Sequence, residues 1–386
     1  MTTSKKQKKY LFKKRFAIAF FVIGFFIFYF FNFSLGGIIF EYSSGDNGDI
    51  SKKNVVHHIK TPNEVRGIYM TSWVASTESI RNGLIKIADE TEVNSIIVDI
   101  KDYTGKVAFL MDNSKVKEFN SSENRIKDIK DFIKELHDKN IYVIGRIAVF
   151  QDPFLSKTRP DLYVKKSDGV NLWKDYKGAM WLDPCSKEAW DYIIAIAKES
   201  EAVGFDELNF DYIRFPSDGN MKDIKYTYCN TALSKAELLE TFFYSLKNEL
   251  RELSIPLSAD LFGMTATNYD DLNIGQVLER AEPYFDFISP MVYPSHYPKN
   301  YNGFANPAEK PYEVIKLAMD TASKRLVVAS SSPLKLRPWL QDFNMGANYG
   351  SVMIRKEKQA VYDAGLNSWL MWSPSNRYTV GAFDKE

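Results

Sequence analysis

From Pro62 onward, short apolar runs bounded by turn residues alternate with amphipathic stretches, and this alternation leaves the chain very few architectures. The runs predict strands at Arg66–Thr71, Ser95–Lys101, Ile141–Ile147, Glu207–Tyr212, Pro256–Leu261, Asp286–Val292, Lys335–Gln341 and Asn367–Trp372. The stretches between them predict helices near 78–92, 123–139, 186–203, 233–253, 271–282, 311–328 and 351–364. In the second of these, Ile126, Ile129, Ile133 and Leu136 recur at helical spacing, with Ser121 or Ser122 available as a cap. Eight strands separated by seven helices, with the near-continuous hydrophobicity of buried parallel strands, predict a (β/α)8 TIM barrel over 62–386. An open doubly wound sheet is the alternative, but no Gly-x-Gly-x-x-Gly follows the first strand to support its nucleotide-binding form. Pro338 falls inside the seventh predicted strand, where a barrel has no free edge to excuse it. Only 14 residues follow the eighth strand, so the eighth helix is expected to be short or absent.

The segment before the barrel has a different character. Residues 1–15 carry Lys5, Lys6, Lys8, Lys9, Lys13, Lys14 and Arg15 and no acid. Residues 16–40 then run without a charge, longer than the roughly 20 residues that cross a bilayer. This pattern predicts an uncleaved transmembrane anchor with a cytoplasmic N-terminus and an extracytoplasmic body, joined by a polar, flexible linker at 41–61. Beyond residue 15 there remain 43 cations against 49 acids, which argues against nucleic acid as a partner. Two cysteines, Cys185 and Cys229, support neither a disulfide framework nor a zinc site, although they are compatible with one bridge. With four histidines in all, no metal or other cofactor is expected.

The stretch Val203–Pro216 bears most directly on chemistry. A helix is expected to end at Gly204, and the apolar period then shortens to that of a strand. Asn209, Asp211 and Ile213 would share one face, with Leu208, Phe210 and Tyr212 on the other, so Asp211 stands among apolar residues as the strand ends. It is either paired, with Arg214 the nearest cation, or it has chemical work to do. Further acids recur at strand ends: Asp99 and Asp102 after the second, Asp260 after the fifth, Asp342 after the seventh. In a barrel these share one rim, where such enzymes build their sites. Glycoside hydrolysis requires two carboxyl groups flanking the scissile bond. Asp211 and Asp260 lie on neighbouring strands about 4.8 Å apart, which is compatible with the roughly 5–5.5 Å carboxyl separation of retaining enzymes. They are the expected catalytic pair, with Asp211 as nucleophile or charge stabiliser and Asp260 as proton donor, the roles being exchangeable. A metal held by several Asp residues is the rival chemistry. Long segments after strand ends carry Trp173, Trp181, His296, Tyr297 and Tyr301. Aromatic rings beside carboxylates suit sugar rings, while packing within the loops is the plainer reading.

Several motifs in order carry a resemblance. Arg66-Gly67-Ile68-Tyr69, Val98-Asp99-Ile100-Lys101-Asp102, Tyr142-Val143-Ile144-Gly145-Arg146 and Phe210-Asp211-Tyr212-Ile213-Arg214-Phe215-Pro216 are followed by the runs from Ile288 to Tyr297, Arg337 to Phe343 and Trp369 to Asn376. Together they resemble the "putative glycosyl hydrolase domain" family of bacterial, often membrane-anchored proteins, and the resemblance spans 63–380. It implies a TIM barrel of the glycosidase superfamily and a polysaccharide or oligosaccharide substrate. Asp99, Asp102, Arg214, Tyr293, His296, Trp339, Asp342 and Trp372 are then the residues expected to contact it. A more distant likeness is to chitinase-type barrels, through Gly204-Phe205-Asp206-x-x-Asn209-x-Asp211, Met291-x-Tyr293 and Trp372. The catalytic Glu of that signature would fall on Ile213 and its first inner Asp on Asn209, so chitinase-type acid catalysis at that position is excluded. Asp211 is closer to the fourth-strand nucleophile of amylase-type barrels. The expected function is a membrane-anchored glycoside hydrolase acting on a cell-envelope or extracellular polysaccharide. The alternatives are a non-catalytic carbohydrate-binding barrel and a structural envelope protein whose acids form only salt bridges.

Overall fold

In the computed structural model, which describes residues 56–385, each of the eight apolar runs contains a strand. These are β1 (Arg66–Met70), β2 (Ser95–Lys101), β3 (Tyr142–Ala148), β4 (Glu207–Asp211), β5 (Leu257–Phe262), β6 (Phe287–Met291), β7 (Trp339–Gln341) and β8 (Trp369–Trp372). All neighbours pair in parallel and β1 closes on β8, giving a closed eight-stranded barrel. Every residue of β2, β3 and β4 is buried, as expected of strands covered on one side by helices and filled with side chains on the other.

The crossover helices are α1 (Glu78–Glu90), α2 (Ile129–Asp138), α3 (Lys187–Val203), α4 (Lys235–Glu249), α5 (Leu278–Ala281), α6 (Pro311–Val328) and α7 (Ser351–Asp363). Gly204 ends α3 with φ 127°, where a Cβ would be strained, and the chain turns directly into β4. Ser234 opens α4 with a reciprocal capping box to Glu237. Among the described residues, the one helical element after β8 is a 3-10 turn, Val380–Ala382.

Three expected elements differ. The helix expected from 123 begins only at Ile129, because the amides of Glu123 and Ile126 donate to Val107 and Ala108 instead. Asp128, rather than Ser121 or Ser122, therefore stands at its N-cap position. The helix expected at 271–282 shrinks to the one turn of α5. Asp270 and Asp271 accept the amides of Leu272 and Asn273, which adopt left-handed conformations that no α-helix continues through. The seventh strand starts only at Trp339, so Pro338 precedes it and contributes a carbonyl to Leu370 rather than a missing N–H.

The expected basic segment 1–15, the anchor 16–40 and residues 41–55 of the linker lie outside the described residues. Among those described, no helix is long and apolar enough to cross a membrane. Residues 56–61, read as the end of a flexible linker, instead dock beneath the barrel. The buried carboxylate of Asp206 accepts the Ile59 amide at 2.7 Å, and Thr61 Oγ1 meets the Tyr142 hydroxyl at 3.1 Å. Cys185, just before α3, is disulfide-bonded to Cys229 in the segment between β4 and α4.

Candidate active site

The barrel interior is layered, and the layers follow from strand alternation. At the floor the Glu207 carboxylate pairs with Arg337 at 2.7 Å and accepts from the Tyr142 hydroxyl at 3.0 Å. Above it Ile97, Ile144 and Leu370 form a dry middle. The third inward position of β3 after Tyr142 and Ile144 is Arg146, and at that height the interior becomes ionic. Its Nη1 donates to Asp99 Oδ1 at 2.8 Å, its Nη2 donates to Asp211 Oδ2, and its Nε lies 3.8 Å from Asp260 Oδ2. Tyr69 completes the far side by donating to Asp99 Oδ2 at 2.5 Å. Burial opposes the charge of Arg146, but the surrounding carboxylates outweigh it and hold the guanidinium protonated.

Asp211 and Asp260 therefore occupy different electrostatic environments. Asp211 has the guanidinium on one oxygen and the Tyr212 amide, at 2.5 Å, on the other. Asp260 is 1% exposed, and its Oδ1 accepts from Asn209 Nδ2 at 2.9 Å and Trp339 Nε1 at 2.7 Å. Burial first, and the nearby Asp211 charge second, push its carboxyl up to about 8, against the pull of Arg146 and the two N–H donors. With Oδ1 saturated by donors, the proton belongs on Oδ2. Gln276 secures the two strand ends, its Nε2 donating to the carbonyls of Ile213 and Asp260 at 3.3 Å each.

Tyr212 shows how the strand end is shaped. Its φ is 55°, a left-handed conformation that costs a bulky residue on the order of 1–3 kcal/mol and is concentrated at functional sites. The twist ends β4 at Asp211 and breaks the expected alternation. Tyr212, assigned by pattern to the outer face, lines the cavity instead, and Ile213 turns away from the face of Asn209 and Asp211 into the core. The Phe150 amide holds the turned segment through the Tyr212 carbonyl at 3.3 Å.

A cavity of about 390 Å3 opens over this layer, lined by Arg146, Asp211, Asp260, Trp339 and Trp372 at its base and by Lys177, Tyr212, Arg214, Phe262, Tyr293, His296 and Tyr297 around it. Of the sequence-derived candidates, Asp211, Asp260, Arg214, Tyr293, His296, Trp339 and Trp372 thus come together. Trp372 stacks on Tyr69 with ring centroids 4.1 Å apart, and Trp339 spends its only donor on Asp260. Burial pushes the Tyr293 phenol up and the His296 imidazole down.

Other candidates stand elsewhere. Asp99 lies behind Arg146 and does not line the cavity. Asp102 pairs with Arg125 at 2.6 Å and accepts the Thr104 amide, which occupies it in holding its own loop, and Asp342 accepts both the amide and the hydroxyl of Thr379, which occupies it in tying the end of β7 to the segment after β8. Asp211 pairs with Arg146 and not with Arg214, whose guanidinium lies over the rings of Trp181 and Phe262. Trp173 and Trp181 are each 2% exposed, which makes them packing residues and not open sugar platforms. Among the described residues, the cluster with metal-ligand spacing is Asp183 with Cys185 and Cys229, whose sulfurs are joined to each other and are not thiolate ligands. Site residues that were not among the sequence-derived candidates are Arg146, Tyr69, Asn209 and Tyr212, all of which stand within the quoted motifs, and Lys177, which does not. The period-2 pattern of β3 signals the first of these, while no sequence signal marks the twist at Tyr212 or the reach of Lys177.

The model of a family described as "Putative glycosyl hydrolase domain" matches residues 67–378. The chain belongs to that family. It carries a glycosyl hydrolase-like barrel domain, as the motifs of the sequence imply. No curated protein matches it. Among solved structures, the chain is similar to a hypothetical protein from Ruminiclostridium thermocellum, at 34% identity over 54% of this chain and 98% of that one, with a TM-score of 0.46. It is also similar to the PgaB (BpsB) glycoside hydrolase domain from Bordetella bronchiseptica, at 14% identity over 80% and 94% of the two chains, with a TM-score of 0.59. The catalytic domain of a β-amylase from Paenibacillus polymyxa aligns at 9% identity over 84% and 96%, with a TM-score of 0.51. At 14% and 9% identity the likeness is one of fold.

Proposed function

We propose that the protein is a glycoside hydrolase, anchored in the membrane by residues 16–40, whose barrel cleaves a cell-envelope or extracellular polysaccharide with Asp260 as proton donor and Asp211 as nucleophile or charge stabiliser. The observation that carries this reading is the contrast between two carboxyl groups on adjacent strands at the base of one cavity. Asp211 is ion-paired to Arg146, while Asp260 is buried with its pKa raised. Opposed environments of this kind separate an acid from a base. In the proposed reaction the proton on Asp260 passes to the glycosidic oxygen as the bond to the anomeric carbon breaks. The electron pair leaves with that oxygen, and the Asp211 carboxylate meets the positive charge developing on the ring, after which water adds its oxygen to the anomeric carbon and gives its proton back to Asp260, freeing Asp211. Trp339 and Asn209 position Asp260 through its other oxygen. The aromatic walls supply apolar surface for the faces of sugar rings. Incubating the purified chain with a panel of envelope and secreted glycans should release new reducing ends from at least one of them. A chain that binds a glycan of the panel but cuts none would favour the carbohydrate-binding alternative.

The disulfide supports an extracytoplasmic body, because such bonds persist in oxidising compartments. The seven cations before the uncharged stretch support a cytoplasmic N-terminus. Protease added to intact cells is expected to release the barrel into the medium by cutting within 41–55. Cleavage only after lysis would reverse the orientation.

A further inference from the structure

The buried arginines of this barrel follow one rule, which the half-buried Arg214 does not share. Arg81, Arg146, Arg325 and Arg337 are each paired with a carboxylate, Asp128, Asp211, Glu279 and Glu207 respectively. A buried charge without such a partner is costly. Arg214 is only partly exposed, and its guanidinium carbon lies 4.6 Å from the Trp181 ring centroid and 4.8 Å from that of Phe262. Its Nη1 donates to the Phe215 carbonyl at 3.0 Å and to Ser217 Oγ at 3.2 Å. Among the described residues no carboxylate pairs with it, and burial pulls its pKa down. The remaining donors, Nε and Nη2, have no protein acceptor on a side chain that lines the cavity.

Lys177 lines the same cavity and is likewise without a carboxylate partner among the described residues. For an exposed lysine alone this means little. Beside Arg214 it means more, because Arg146 is already balanced by Asp99 and Asp211, which leaves Arg214 and Lys177 as two cavity-lining cations without a carboxylate at salt-bridge distance among the described residues. Asp175 and Asp218 act on Arg214 only from beyond pairing distance, so the two cations present unpaired donors at a concave site, an arrangement that attracts an anion able to approach them directly. Stacked on aromatic rings with one edge unused, a guanidinium matches a planar carboxylate better than it matches a hydroxyl.

On the glycosidase reading above, we propose that the glycan bound in this cavity carries a carboxylate on a sugar ring beside the scissile bond, as a hexuronate does, and that Arg214 and Lys177 recognise it. Arg214 supplies the directional pair of hydrogen bonds and Lys177 a mobile charge at the mouth.

Binding tests this without requiring turnover. Oligomers of galacturonate, glucuronate and mannuronate are compared, on the full chain, with the same oligomers after reduction of their carboxylates to hydroxymethyl groups, and with amino-sugar and sulfated galactose oligomers. At least one uronate oligomer is expected to bind tenfold or more tighter than its reduced form. Arg214→Gln and Lys177→Gln should each erode that advantage, and the double variant should abolish it. Arg214→Lys, which keeps the charge but not the fork, should retain part of it. Since Arg214 packs on Trp181 and Phe262, its variants are checked for a native circular dichroism spectrum. Lys177→Gln, at an exposed position, tests the idea on a chain whose packing is untouched. Equal binding of reduced oligomers, preference for amino-sugar or sulfated ones, or a uronate advantage that survives in Lys177→Gln and the double variant would each overturn the proposal. Uronate binding without cleavage would keep it while removing the hydrolase reading. Cleavage of a neutral glycan with no uronate preference would do the reverse.

Discussion

Asp260→Asn is expected to lower turnover by roughly a hundredfold or more, because an amide of the same shape cannot donate the proton that the leaving oxygen needs. The variant should keep its fold, and the pKa of Asp260 indicates the sign of the stability change. An aspartate that titrates at 3.8 when unfolded holds its proton to about 8 in the barrel, so between those values the folded chain binds a proton that the unfolded chain has released. This group therefore lowers stability progressively as pH rises from about 4 to about 8, and the cost is complete above that. Asn, which never ionises, is free of it. Denaturation midpoints of Asp260→Asn should match the wild type near pH 4 and equal or exceed it at pH 9. The wild type's own activity should fall as pH passes through about 8, when the proton is lost. A variant with near-normal turnover would remove Asp260 from the chemistry, whatever its stability.

Arg146→Gln should be the most damaging single change to the barrel interior. It leaves the buried carboxyl groups of Asp99 and Asp211 without a counter-charge, and loss of one partner of a buried pair costs about 3–5 kcal/mol. The carboxylates can recover part of this by taking up protons. Stability lost at neutral pH should therefore partly return as the pH is lowered toward 4, opposite to the usual acid destabilisation of a paired aspartate. Activity should fall as well, since Asp211 loses the donor that orients one of its oxygens at the base of the cavity. Arg146→Lys restores the charge but must serve Asp99 and Asp211 from one nitrogen in place of two, without the planar fork, so it should recover stability more than turnover. Urea denaturation at pH 7 and pH 5 measures the stability loss and its partial return, and reducing-end release measures turnover. A midpoint unchanged at pH 7 in Arg146→Gln would mean that the carboxylates are not ionised in the native chain.

The sequence was most informative about strand placement, because every barrel strand is buried on both faces and so stands out as an apolar run bounded by turn residues. It was less informative where polar backbone groups found partners outside the regular pattern. The amides of Glu123 and Ile126 pair with 107–108, and the side chains of Asp270 and Asp271 capture the turn that shortens α5. The rim acids were legible as acids at strand ends, but not by their partners. Spacing makes Arg214 the neighbour of Asp211, whereas parallel pairing of β3 with β4 brings Arg146 from the adjacent strand, 65 residues away. The same limit applies to Asp102 and Asp342: strand-end position identifies the rim, but not whether a carboxylate faces the cavity or is taken up by rim loops, as Asp102 is by Thr104 and Asp342 by Thr379. Tyr212 is the clearest failure of periodicity, since alternation assumes a backbone that continues as a strand and its positive φ ends that one residue before the pattern does.

The central claim is that the cavity over Asp211 and Asp260 hydrolyses a glycosidic bond. The most direct test is cleavage of the glycan panel in 18O-labelled water, with products read by mass spectrometry. The wild-type chain is expected to yield fragments whose new reducing ends carry one 18O atom, and a folded Asp211→Asn chain is expected to yield at least a hundredfold fewer. Unlabelled unsaturated fragments, or labelled fragments released equally fast by Asp211→Asn, would contradict it.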